Sequence, residues 1–135
     1  MSETSAAMEV AERIADELGW TLGVQLFISR EPEMPDDVTT VYDVNTTRRG
    51  YVDGTPDWEE PTGQVRCRGR VYTELWVRAA GVAAVLKGMA GWKTTEARYD
   101  GVPVVSGPAY IGVDQKGRQL VVVNFRAARQ RGAGH

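Results

Sequence analysis

Residues 63–87, GQVRCRGRVYTELWVRAAGVAAVLK, change period in the middle. Over Gly63–Val71 the apolar positions alternate. Val65, Cys67 and Val71 point one way with Gly69 between them, and Gln64, Arg66, Arg68 and Arg70 point the other. That period of two predicts a half-buried strand. From Tyr72 the spacing lengthens. Leu75, Ala79, Val82, Ala83 and Leu86 fall on one face of a helix that runs to Lys87. Thr73 can cap it, Glu74 suits its first turn, and Gly88 can end it. Trp76 lies off the stripe, where it either borders the core or meets a partner. Ala79, Ala80, Gly81, Ala83 and Ala84 are small enough to let this helix lie close on its neighbours.

Working outward, residues 5–18 read as a second amphipathic helix. Ala11, Ile14, Ala15 and Leu18 are on its apolar face, and Glu9, Glu12, Arg13, Asp16 and Glu17 cover the rest. Ser5 is its N-cap and Gly19 its C′ glycine. Val24–Ser29 and Val38–Val44 read as strands. Between them lies an acidic turn-rich loop, with Pro32 and Pro35 beside Glu31, Glu33, Asp36 and Asp37. Residues 45–61 read as loop, with a hairpin-type Asp53-Gly54. Residues 88–101 read as a connector with a strand around 96–99. Residues 102–106 contain Pro103 and read as an edge strand at best. Gln115-Lys116-Gly117 reads as a turn, and Gln119–Ala127 as a central strand. The expected fold is one α+β domain over residues 1–127, a mainly antiparallel sheet of four to five strands with two packed helices. A basic, flexible tail follows over 128–135.

The chain has 135 residues, 42% hydrophobic and 25% charged, which suits a single globular domain. No apolar run reaches the roughly 20 residues of a membrane helix. Met1–Val10 lacks the basic and apolar stretches of a secretory signal. One cysteine excludes an internal disulfide. The one histidine is His135, which disfavours His-dependent catalysis and any Cys/His metal site. Cys67 reads as a small core residue. The adjacent acids Asp36/Asp37 and Glu59/Glu60 read as solvated charge, and Asp114 as a turn residue. No nucleotide-binding, redox or zinc-hydrolase motif is present. Catalytic, cofactor and metal residues are therefore expected to be absent.

Charge is unevenly divided. Residues 1–60 carry 14 acids and 4 bases, net −10, and residues 61–135 carry 4 acids and 12 bases, net +8. Either the two halves pack as complementary parts of one fold, or unlike surfaces let copies dock head to tail.

Several short motifs occur in a fixed order. They are Leu26-Phe27-Ile28 with Pro32, Val41-Tyr42-Asp43, Glu60-Pro61 leading into Val65-Arg66-Cys67-Arg68-Gly69, a helix opening at Tyr72, Pro108-x-x-Ile111-Gly112-x-Asp114-x-x-Gly117-Arg118, and Val123-Asn124-Phe125-Arg126. With this series the chain resembles the tailed-phage minor capsid family whose members act as tail terminator proteins. The resemblance implies a structural virion protein, built in the host cytoplasm, that forms a homohexameric ring on the tail tube. The ring stops tube polymerisation and joins the tail to a head-completion protein. DNA passes through its lumen without sequence-specific binding, and neither cofactor nor membrane is involved. Another neck ring, such as the head-completion (stopper) protein itself, or a small bacterial ligand-binding domain, is the alternative. For a ring, the expected subunit interface sets Glu12 and Asp16, or Asp36 and Asp37, against Arg66, Arg68 and Arg70, or Arg126 and Arg129, of the next copy. Pairing of these arginines within their own chain is the competing expectation.

Overall fold

A computed structural model describes residues 5–49, 58–94 and 97–131. Its elements are α1 (Ala6–Leu18), β1 (Leu26–Ile28), β2 (Val38–Arg49), β3 (Trp58–Gly69), α2 (Tyr72–Lys87), β4 (Ala97–Val113) and β5 (Gln119–Arg131). The strands form one sheet in the order β1-β2-β3-β5-β4. β1 pairs parallel with β2, and every other pairing is antiparallel. The fold is therefore α+β with a mainly antiparallel five-stranded sheet. Among the described residues no helix is long and apolar enough to cross a membrane.

Both helices lie on one face of the sheet. α1 covers β1, β2 and β3, and α2 covers β3, β4 and β5. The core follows from the strand alternation. Val41, Val65, Cys67, Val121, Val123 and Phe125 meet Val10, Ala11 and Ile14 of α1 and Leu75, Ala79, Val82 and Leu86 of α2. Ser5 accepts the Met8 N–H at 3.3 Å, and Gly19 takes the left-handed conformation that stops α1. α2 starts without its expected cap: the N-cap position is Val71, with no side-chain bond, so Thr73 lies inside the helix.

Three regions differ from the sequence reading. Residues 45–49 and 58–61, expected as loop, extend the β2–β3 pair. They pair in register from Asn45↔Thr62 to Arg49↔Trp58, so ladder bonds outweigh the weak strand propensity of this polar stretch. Asp53-Gly54 lies outside the described residues. Connector, edge strand and the stretch before the turn merge into one 17-residue β4. Register shifts next to Val104, Ala109 and Gly112 absorb Pro103 and Pro108, which an edge strand tolerates. Finally, the expected flexible tail begins too early. Ala128–Arg131 belong to β5 between β3 and β4, where Arg129 pairs with Glu59 and Tyr99. Residues 132–135 are outside the described part.

Gly63 is required by a close approach. A Cβ there would sit 2.6 Å from Phe125 Cε2 and 2.7 Å from the Tyr42 carbonyl oxygen. Gly63→Ala should cost about 1–3 kcal/mol in urea unfolding. An unchanged midpoint would mean that Phe125 does not lie over this position.

Candidate functional site

The surface this chain presents is set by which charges the fold consumes and which it leaves outside. The loop after β1 crosses the helix-free face of the sheet and is held there by arginines. Arg68, only 2% exposed, donates to three backbone carbonyls: Pro35 at 2.7 Å, Asp36 at 3.2 Å and Glu33 at 3.3 Å. Its Nη1 lies 3.4 Å from Glu31 Oε1, and Arg66 approaches the other oxygen of that carboxylate at 3.7 Å. From the β4–β5 turn, Arg118 donates to the Glu33 carbonyl at 2.6 Å and to Asp114 at 2.8 Å. Arg70 donates to Asp36 Oδ2 at 2.7 Å, Lys116 pairs with Glu33, and Arg78 lies 3.5 Å from Asp37. Asp114 shapes the turn itself, accepting the Lys116 and Arg118 N–H groups at 2.9 and 3.0 Å.

These contacts lower the loop carboxylates. The Lys116 hydrogen bond holds Glu33 below its ordinary value, and the Arg70 hydrogen bond does the same for Asp36. At Asp114 burial pushes upward, but the Arg118 bonds outweigh it and the net shift is down.

The far end of the sheet holds a second cluster, buried at its centre. Arg129, 1% exposed, donates to Glu9 Oε1 at 2.8 Å and to Glu59 Oε2 at 3.1 Å. Tyr99 donates to Glu9 Oε1 at 2.7 Å, and Thr94 to Glu9 Oε2 at 2.8 Å. Trp92 stacks on Tyr99 with ring centroids 5.1 Å apart, and Arg13 lies over Trp92. Burial and the Glu9 charge push the Tyr99 phenol up. Burial opposes the Arg129 charge, but Tyr99, Glu9 and Glu59 around it outweigh that and raise its pKa. The cluster ties α1, β3, β4 and β5 together, with every charge close to an opposite one.

The expected interface residues therefore scatter. Arg68 and Arg129 are sealed inside their own chain and have no surface to offer another copy. Within one subunit Arg70 pairs with Asp36, Arg66 approaches Glu31, and Asp37 lies near Arg78. The physical reason is the strap: it lays the acidic loop on the arginine face of the same sheet. Glu12, Asp16 and Arg126 remain exposed. Glu59, read as solvated, is buried, and so is Glu9, placed on the polar side of the first helix. The period of two carried back from Val65 through Gly63 and Pro61 was the signal that could have placed Glu59 inward. Nothing in the local sequence marks Glu9, whose partners lie some ninety and more positions away. Cys67 is fully buried, and burial pushes its thiol up to about 11, so it stays protonated. Among the described residues no group of His, Cys, Asp and Glu gathers that could hold a metal ion.

The rest of the surface is apolar in places. Tyr72, Tyr110, Val71 and Val113 are exposed where α2 starts beside β4. Tyr72 meets Tyr110 edge to face at 5.5 Å and Trp76 at 5.9 Å. Leu22 and Val24 are exposed at the opposite edge, beside β1. A shallow groove of about 310 Å³ on the open sheet face is lined by Val44, Thr62, Val104, Asn124 and Arg126.

Comparison with known proteins adds the following. The model of a family described as "Bacteriophage tail terminator protein" matches residues 8–131. A chain in the solved structure titled "Virion of native gene transfer agent (GTA) particle" shares the fold. It superposes with a TM-score of 0.61 at 16% identity, over 96% of this chain and 100% of that one. No curated protein matches.

Arg129→Met leaves Glu9 and Glu59 buried without that cation and should cost about 3–5 kcal/mol in urea unfolding. Tyr99→Phe, which loses one hydrogen bond, should cost about 1 kcal/mol. Equal stability of Arg129→Met and wild type would remove the cluster as an anchor. For the strap, lowered carboxylates contribute stability that is present above their ordinary values of 4.5 and 3.8 and is lost as pH falls below them. The urea midpoint should therefore drop below about pH 4.5, and less steeply in Lys116→Met. Equal acid slopes would show that the Lys116–Glu33 pair contributes nothing.

Proposed function

The chain belongs to the bacteriophage tail terminator family, and on that premise we propose that its copies close into a homohexameric ring at the head-proximal end of the tail tube. A tail terminator is a structural protein of the phage virion. In the proposed role one face of the ring seats on the last layer of the major tail tube protein and ends its polymerisation. The other face receives the head-completion protein, so that tail joins head. The genome passes through the lumen without sequence-specific contact, and subunits assemble in the host cytoplasm before entering the virion.

The observation that carries this reading is the family match over 8–131, which runs from α1 to the end of β5. Physical properties of the subunit support it. A ring needs a heterologous contact, two unlike patches that meet when copies are related by a rotation that closes. The two edges of this sheet are unlike. One ends in the three-residue β1 and the other in the 17-residue β4. A closed ring then offers two different faces, one matching the tube and one that does not extend it.

Electron microscopy of phage lacking the protein tests the role. Overlong tail tubes are expected. Tails of normal length that fail to join heads would instead make it a head-completion (stopper) protein. Cryo-electron microscopy of the neck should show a sixfold collar of this chain, and a neck without one would end the ring proposal.

A further inference from the structure

Pairing inside the subunit leaves few charges for the outside. Glu12 and Asp16 on α1, Lys87 at the end of α2, and Lys93 beyond it are all exposed, and none forms an ion pair with another described residue. Their positions are ordered. α1 and α2 divide the sheet, α1 over the β1 side and α2 over the β4 side. On α1, Arg13 faces α2, donating to the Gly88 carbonyl at 3.3 Å. At about 100° per residue, Met8 and Glu12 then lie toward the flank turned away from α2, with Asp16 on the outer surface beside them. On α2, Gly81 faces Leu18 of α1. The same geometry puts Trp76 and Lys87 on the flank turned away from α1, and Glu74, the exposed acid of α2, on the flank toward it. On the helices, the flank turned away from α2 thus carries acids and the flank turned away from α1 carries Lys87, with Lys93 bridged to Arg98 at the β4 edge.

The two flanks also match in height along the strands. The Arg13–Gly88 bond sets Glu12 level with Lys87, and the Thr94–Glu9 bond brings Lys93 to the first turns of α1. Further along, Trp20 after α1 and Arg78 in α2 border one groove. Leu22 and Val24 therefore stand at the same end as the exposed Tyr72–Tyr110 pair. A copy moved sideways across the sheet, without sliding along it, sets acid against base and aliphatic against aromatic.

We infer that a second copy of this chain docks flank to flank, the α1–β1 side of one against the α2–β4 side of the next, with Glu12 and Asp16 facing Lys87 and Lys93 and with Leu22 and Val24 facing Tyr72 and Tyr110. This rests on the ring reading and names the surfaces that would close it. Complementary charge sets the register, and the apolar ends supply the buried area.

The test is the mass of the full-length protein by light scattering and native mass spectrometry, at low and high salt. Wild type should self-associate, less so in high salt. Glu12→Lys/Asp16→Lys and Lys87→Glu/Lys93→Glu each put like charges across the contact and should weaken association by about tenfold or more. Both should keep the wild-type melting temperature, since all four positions are exposed. An equimolar mixture of the two variants should restore association, because alternating copies regain opposite charges at every contact. Association of either variant alone at wild-type strength overturns these surfaces while leaving a ring intact. A mixture no better than its parts does the same. Wild type that stays monomeric at every concentration and salt also overturns the inference. In that case the neck reconstruction decides separately whether a ring exists.

Discussion

A guanidinium group sealed from water needs its countercharges or its acceptors within the same fold. Arg129 is held between Glu9 and Glu59 with Tyr99 closing on the same carboxylate, and Arg68 is spent on three carbonyls of the loop that crosses it. These two residues fix how the acidic first half and the basic second half of the chain meet. The Arg129 cluster joins positions 9, 59, 99 and 129, so it forms only when α1 is docked and β3, β4 and β5 are aligned. Removing the cation would leave two carboxylates in a water-poor site, which is why such a cluster acts as an all-or-nothing lock on the tertiary arrangement.

The lock has a consequence for assembly. Charges absorbed inside a subunit no longer repel or attract a neighbour, so the net −10 and +8 of the two halves overstate what a second copy meets. What remains includes acids on the outer side of α1, lysines at and beyond the end of α2, the exposed Arg30, Glu74 and Arg126, and two apolar edges. Exposed pairs contribute little each, roughly 0–1 kcal/mol, and are screened by salt. Charge of this kind steers and registers a contact, and the affinity of any ring must come from apolar burial. In the proposed ring, that division would let charge choose the neighbour geometry while the apolar edges supply the affinity.

The open face of the sheet is divided in the same way. One end is sealed by the strap over Val38 and Thr40, which are buried although no helix covers them. The other end keeps Asn124 and Arg126 exposed beside Val104. Bonds to backbone carbonyls do not depend on the loop's side chains, so Arg68 pins the path of the strap without calling on the exposed Met34.

Periodicity along the chain was enough to place α2 at Tyr72–Lys87, α1 to within a residue, Cys67 in the core and β5 inside the sheet, because apolar spacing reports which side of an element is buried. Charge counting was enough to say that the halves attract. It could not say where. Arg66, Arg68 and Arg70 read alike, yet one is half-buried, one sealed and one exposed. That difference is made by a loop folding back over the sheet and by the ladder that carries Asn45–Arg49 and Ala128–Arg131 into strands of polar composition. Contacts between residues tens of positions apart leave no local period, so only the packed sheet decides which arginine becomes a structural pin and which charges are left for another copy.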